Sequence, residues 1–184
     1  MILIFGPSGS GKTALAKEME RCGYFVIPTY TTRPIRENDF FTEHISESEM
    51  NRLINEKQTI SDVTYDTEYG RVSYCIKNDD CGKYNSVLIA NMKFYEDICK
   101  VDPDLISYKV FLDVDYNTII NNKVNRGITD IDTKKRLERD AKDMEVLKSE
   151  SNLVIQNHGF KMSPSQLVSE IVSKIIDYYF KDLE

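Results

Sequence analysis

The sequence predicts an α/β fold of three layers, α/β/α, in which helices cover both faces of a five-stranded parallel sheet and a polar segment is inserted after the second strand. Three observations carry this. Residues 2–5, 24–27, 86–90, 109–114 and 152–156 are short apolar runs of strand length, and unbroken rather than alternating apolar character marks strands buried on both faces. Helical patterns separate them, and strands alternating with helices call for parallel crossovers. Residues 30–85 break the rhythm, being polar, aromatic and turn-rich.

Taken in order, the run at 2–5 ends at Gly6, and residues 13–20 that follow are good helix formers with Leu15 and Met19 four apart on one face. Cys22-Gly23 closes that helix before the second strand. The insertion holds one amphipathic stretch, 47–53, and helical patterns recur over 93–100, 116–124 and 134–149. A second polar interruption, 125–133, carries an Arg126-Gly127 pair and predicts a short mobile flap. The last helix is predicted from near Pro164, where Leu167, Ile171, Ile175 and Tyr179 step by four as a buried stripe. The chain then reads as one domain, with a core of 1–29, 86–124 and 141–184, an insertion of 30–85 and a lid of 125–140.

With 184 residues the chain can bury a sizeable single core. Lys plus Arg number 24 against 30 Asp plus Glu, a net charge of −6, so any anion site must be local and a general nucleic-acid binder is not expected. The apolar run at 2–5 is too short for a signal or a membrane span, which predicts a cytoplasmic protein with no membrane partner. Cys22, Cys75, Cys81 and Cys99 form no CxxC and no zinc spacing, so reduced thiols are expected. The two histidines, His44 and His158, are expected at the surface and leave little for a histidine-based metal or nucleophile site.

Chemistry enters at Gly6-Pro7-Ser8-Gly9-Ser10-Gly11-Lys12-Thr13, which satisfies GxxxxGK[ST] between a predicted strand and a predicted helix. Glycines let the backbone wrap an anion closely, so that successive N–H groups and the positive helix end face phosphates. Lys12 would then reach the transferable phosphate and Thr13 would offer its hydroxyl to Mg2+. Such a loop implies a nucleoside triphosphate and leaves the acceptor open among hydrolase, motor, switch and small-molecule kinase. In Thr31-Thr32-Arg33-Pro34-Ile35-Arg36, two arginines three apart in a proline-stiffened loop suit one phosphate monoester, against the alternative of two solvated surface charges.

The order GPSGSGKT, TTRPIR, Tyr69-Gly70, Arg126-Gly127 and Arg136-Leu137 resembles the guanylate kinase family over most of the chain. That resemblance implies a P-loop NTPase fold and a nucleoside monophosphate kinase. It would use ATP with Mg2+ and take GMP or dGMP as acceptor, as a monomer or homodimer. It makes Lys12 the phosphate-binding lysine, Arg33, Arg36 and Tyr69 ligands of the acceptor phosphate, and Arg126 and Arg136 catalytic lid arginines. Asn157 matches the family's asparagine beside adenine, with a turn-forming asparagine as the equal alternative.

The chain departs from the family where guanine is read. Thr29 stands for a serine and Asn91 for an aspartate, while the family's glutamate falls to Asp62, with Glu68 as the other candidate. A phosphate-binding tyrosine is missing from 38–42, where Phe40 lacks a hydroxyl, and Arg71 replaces a threonine. Shortened spacing after Arg126 makes Arg139 a competitor of Arg136. These departures admit another (deoxy)nucleotide, or a phosphorylated sugar such as ribose bisphosphate, as acceptor. A non-catalytic phosphopeptide-binding module is the remaining alternative, and the intact Gly11, Lys12 and Thr13 speak against it.

Overall fold

The computed structural model describes residues 1–36, 39–67, 70–124 and 130–181. In chain order its elements are β1 (Ile2–Phe5), α1 (Lys12–Arg21), β2 (Phe25–Val26), β3 (Thr29–Thr31), β4 (Thr42–His44), α2 (Glu47–Asn55), β5 (Thr59–Thr67), β6 (Gly70–Lys77) and α3 (Asn78–Cys81). There follow β7 (Ser86–Ile89), α4 (Met92–Val101), β8 (Tyr108–Asp113), α5 (Tyr116–Val124), α6 (Asp130–Ser149), β9 (Leu153–Gln156) and α7 (Pro164–Phe180), with 3-10 turns at Pro103–Leu105 and His158–Phe160.

The core sheet has the order β2-β7-β1-β8-β9 with every pair parallel. Successive strand residues point to opposite faces, which divides the core in two. Ile2 and Ile4 pack with Leu15, Met19, Leu167 and Ile171 on the side of α1 and α7. Leu3 and Phe5 pack with Phe94, Ile98 and Leu147 on the side of α4 and α6. Both faces of β1 are therefore dry, as its unbroken apolar run predicts, and each such side chain contributes about 1.5–3 kcal/mol of burial. The three-layer α/β/α arrangement with five parallel strands is the one expected.

Three expectations need correction here. The stripe on α7 is buried only at Leu167, Val168 and Ile171; Ile175 is half-buried and Tyr179 is 52% exposed. A 17-residue helix runs about 25 Å, farther than the four to six residues of the strands beneath it, so its last turns overhang the sheet. His44 is half-buried between β4 and the loop before it, whereas His158 is exposed as expected. The helix α6 begins at Asp130, so residues 130–133 are helical and not part of a loop.

The insertion forms a second sheet of order β4-β3-β6-β5. Directly paired residues share a face, and the hairpin of β5 and β6 pairs Ser61 with Ile76, Val63 with Tyr74 and Asp62 with Cys75. Ile76, Val63 and Tyr74 pack toward the core, while Cys75 joins Tyr30, Met50 and Leu53 under α2. The helix α2 is capped by Ser46, whose hydroxyl accepts the Glu49 N–H at 3.1 Å. All four cysteines are free, and burial pushes the Cys75 and Cys81 thiols up to about 11. Among the described residues no helix is long and apolar enough to cross a membrane.

Candidate functional site

The loop between β1 and α1 needs glycine for a geometric reason. Gly6 has φ +140°, and a Cβ there would meet the Leu112 carbonyl at 2.7 Å and Ser10 Oγ at 2.8 Å. Gly9 and Gly11 also take positive φ, at +97° and +93°, a region closed to most side chains. The peptide between Gly9 and Ser10 is held at both ends: Ser10 N–H donates to Pro7 O at 3.1 Å, and Gly9 O accepts from Asn122 Nδ2 at 2.9 Å. Lys12 Nζ donates to Gly6 O at 2.7 Å and Pro7 O at 2.8 Å, which folds the ammonium across the mouth of the loop.

Several features of this loop suit an anion. Gly11 caps α1 without a side-chain hydrogen bond, and no acidic residue stands in the helix's first turn, so its positive end is not neutralised locally. Ser10 is 1% exposed, and its Oγ has no hydrogen-bond partner among the described residues. A buried hydroxyl without a partner is costly, and a phosphate oxygen is an acceptor it fits. Thr13 is exposed at the start of α1 beside Lys12. Among the described residues no group of three or more His, Cys, Asp or Glu could hold a metal ion. Thr13 instead fits a magnesium held mainly by phosphate oxygens and water, the usual habit of that ion.

The loop's outer wall is built from α5 and the turn after β9. Asp115, just before α5, accepts Thr118 N–H at 2.9 Å and Thr118 Oγ1–H at 2.6 Å, bonds that hold its carboxyl below the usual range. Thr118 Oγ1 accepts Gly159 N–H at 2.9 Å. Asn157 is 2% exposed, with Oδ1 accepting Met162 N–H at 2.8 Å and Nδ2 donating to Met162 O at 3.2 Å. Its amide closes the turn, so the turn-forming alternative describes what Asn157 does here.

On the insertion, Thr29 is half-buried on β3. Arg33 is 7% exposed: Nη2 donates to Asp39 Oδ1 at 2.6 Å and Nη1 to Pro34 O at 3.0 Å. Asp39 Oδ2 accepts Arg36 N–H at 2.8 Å and lies 3.0 Å from His44 Nε2, and His44 Nδ1 lies 2.7 Å from Arg33 O. Burial, the largest single influence, opposes charge on both partners, but their mutual bond and attraction together with neighbouring contacts, the Arg36 N–H on Asp39 among them, outweigh it, raising the Arg33 pKa and lowering that of Asp39. The two arginines are therefore unlike: Arg33 is buried on an internal carboxylate, and the side chain of Arg36 is exposed.

The expected base-reading residues are dispersed. Asp62 is exposed on the hairpin face of Cys75, opposite to Ser61. Ser61, 3% exposed, faces the core and donates to Asp97 Oδ2 at 2.6 Å, while Lys93 Nζ lies 2.6 Å and 2.5 Å from the two oxygens of Asp97. Asn91 caps α4, its Oδ1 accepting Phe94 N–H at 2.8 Å, so that oxygen is already engaged. Arg71 is exposed on β6, across from Asp66. Phe40 is 43% exposed under the Lys17 ammonium, 2.9 Å from the ring centre. Glu68, Tyr69 and Arg126 lie outside the described residues, as does the side chain of Arg136 on α6. Arg139 is exposed and donates from Nε to Asp140 Oδ1 at 2.8 Å.

Sequence reasoning missed Asp39, Asp97 and Asn122. The last two meet their partners across 36 and 113 positions, a separation no local pattern encodes. A cavity of about 470 Å3 lies away from the loop, between β2 and the insertion, and its Asp80 already holds Lys83 at 2.8 Å and Tyr30 Oη at 3.1 Å.

No family model matches the sequence, and no curated protein matches it. Among solved structures, guanylate kinase from Anaplasma phagocytophilum is similar, with a TM-score of 0.61 over 98% of this chain and 94% of that chain, at 12% identity. Likeness at that identity is likeness of fold. The all-parallel core sheet, its flanking helices and the glycine-rich loop after β1 give this chain a P-loop NTPase fold.

Proposed function

We propose that the chain is an ATP-dependent phosphotransferase that phosphorylates a nucleoside monophosphate, with GMP or dGMP as the leading acceptor. The observation that carries this is the loop of residues 6–13: glycines at positive φ, Lys12 across the mouth, and the buried hydroxyl of Ser10 unpartnered among the described residues. Phosphoryl transfer spreads negative charge over the equatorial oxygens of the moving group, so fixed cations and N–H donors can lower the barrier without a covalent intermediate. Lys12 supplies one such cation, and Arg126 and Arg136 supply others from a lid over 125–140. Bound magnesium would offset charge between the β- and γ-phosphates, with Thr13 as its protein ligand. The insertion, 30–85, would hold the acceptor through Arg33, Arg36 and Tyr69, with Thr29, Asp62 and Asn91 nearest the base.

The acceptor has a second reading, which a specific observation favours. Arg33 is buried on Asp39, the Asn91 oxygen caps a helix, and Asp62 stands on the hairpin face away from Ser61. A site altered in this way suits another (deoxy)nucleotide or a ribose bisphosphate. ADP release measured with ATP, Mg2+ and a panel of nucleoside monophosphates and sugar phosphates decides between them. Turnover is expected with GMP or dGMP, whereas turnover confined to a sugar phosphate selects the second reading. Silence across the panel removes both. Lys12→Ala is expected to cut turnover roughly 10²–10³-fold, the cost of one transition-state charge contact; unchanged turnover would remove the donor assignment.

A further inference from the structure

His44 has a hydrogen-bond acceptor on each side of its ring: Nδ1 lies 2.7 Å from Arg33 O, and Nε2 lies 3.0 Å from Asp39 Oδ2. A backbone carbonyl can only accept. Asp39 can only accept as well, because burial opposes its charge but the bonds from Arg33 and the Arg36 N–H keep it a carboxylate. A neutral imidazole donates from one nitrogen and would turn the lone pair of the other toward an acceptor. Only the imidazolium satisfies both contacts. One carboxylate is thus shared by two cations: Asp39 Oδ1 takes Arg33 Nη2 at 2.6 Å, and Oδ2 takes His44 and the Arg36 N–H. None of the three side chains is more than 18% exposed, so water screens them little. With His44 protonated the trio keeps one positive charge in excess. The surroundings add little to this balance. β4 pairs only with β3, where Thr31 stands opposite His44. Tyr74 of β6 meets the Arg33 guanidinium, and Arg36 and Glu47 are exposed. Glu43, next to His44 on β4, points to the other face and lines the cavity beside β2.

We propose that His44, as an imidazolium, is a positioning residue that shares Asp39 with Arg33 and so sets the charge with which the loop after β3 meets the acceptor's phosphate. This rests on the reading of Arg33 and Arg36 as ligands of that phosphate. Loss of the His44 proton removes a cation beside the site and turns the Nε2 lone pair on Asp39, whose charge then falls on Arg33 alone. A doubly charged phosphate is held less well as a result, and the acceptor KM rises with pH. The sign is diagnostic, because a phosphate monoester itself gains charge as pH rises through about 6, which acts in the opposite direction.

The test follows the ring and the kinetics together on the full chain. The ring 15N signals of His44, assigned by their absence in His44→Gln, give the pH interval over which its proton leaves. With saturating Mg·ATP, the KM of an acceptor that turns over is expected to rise roughly ten-fold across that interval, the lower end for one hydrogen bond to a charged group. The kcat and the KM of Mg·ATP are expected to follow the same course in wild type and His44→Gln. His44→Gln should show the high acceptor KM at every pH, and His44→Lys, which keeps a cation and a donor, the low one. Asp39→Asn should lower the proton affinity of His44 roughly ten-fold, the scale of one opposite charge within bonding reach. The same acceptor profile in wild type and His44→Gln overturns the proposal. So does a His44→Lys that matches His44→Gln, which would mean that the ring acts by shape, or a His44 titration that Asp39→Asn leaves unmoved. If no nucleoside monophosphate or sugar phosphate turns over, the acceptor reading falls and the positioning role falls with it; turnover with a KM flat across the His44 interval removes the positioning role alone.

Discussion

Arg33 and Asp39 show how one contact can serve stability and site chemistry together. A guanidinium at 7% exposure must be paired, because an unpaired buried charge is strongly destabilising. Asp39 pairs it, and also ties down the Arg36 N–H. Asp39→Asn should therefore cost about 1–3 kcal/mol at neutral pH, the usual penalty for weakening a partner of a buried charged donor. The pH dependence has a definite sign. The Asp39 carboxyl is lowered in the folded chain, chiefly by Arg33 acting against burial, so its stabilisation is complete above about 4, where the unfolded carboxyl is ionised. It is lost as pH falls through the lowered folded value. Urea midpoints of wild type and Asp39→Asn should differ at pH 7 and draw together as acid protonates the lowered Asp39 carboxyl; a difference that does not shrink at all as pH falls would mean that the side chain acts through shape and not through charge.

Elements were legible in the sequence where one periodicity governed them, and less so where tertiary length decided the outcome. The run at 2–5 announced the central strand because all four residues are buried, with the dry faces of a parallel sheet on either side. The loop of residues 6–13 was legible as well, since Gly6, Gly9 and Gly11 answer a local backbone demand for positive φ. The four-step pattern of α7 misled, because periodicity tells which face is apolar but not how far the sheet below it extends. Ile171 at 0% exposure and Tyr179 at 52% differ accordingly. Ile171→Ala should cost about 2–5 kcal/mol, the range for emptying a packed core site. Tyr179→Phe should cost about 0.5–1.5 kcal/mol, since only its hydrogen bond to Ser107 O at 2.6 Å is lost. Equal losses in chemical denaturation would show that the end of α7 packs as tightly as its start. The acceptor side was least legible, because Ser61 and Asp97, or Arg33 and Asp39, meet only after two separate elements or a whole loop have folded.

Across the whole molecule, buried apolar contacts are unevenly distributed, and the unevenness follows the division between core and insertion. Among the described residues, the two clusters flanking the parallel sheet contain 14 and 12 buried residues, whereas the cluster under α2 contains four: Tyr30, Met50, Leu53 and Cys75. The insertion is itself divided. Its β5–β6 hairpin reaches the larger cluster on the side of α4 and α6 through Ile60 and Ile76, while α2 depends on the small one and β4 pairs only at the edge of its sheet. Regions with few buried contacts open locally at a fraction of the global free energy, and moving parts are drawn from them. Amide hydrogen exchange should therefore be slowest in β1, β7 and β8, slow in β5 and β6, and fastest, among the regular elements, in α2 and β4. If the insertion holds the acceptor, adding GMP with a non-hydrolysable ATP analogue should slow exchange in α2 and β4 far more than in β1, because closing on a ligand restricts the part that was free to open. Uniform protection across both sheets before ligand addition would show one cooperative body, and an insertion insensitive to GMP would move the acceptor elsewhere on the chain.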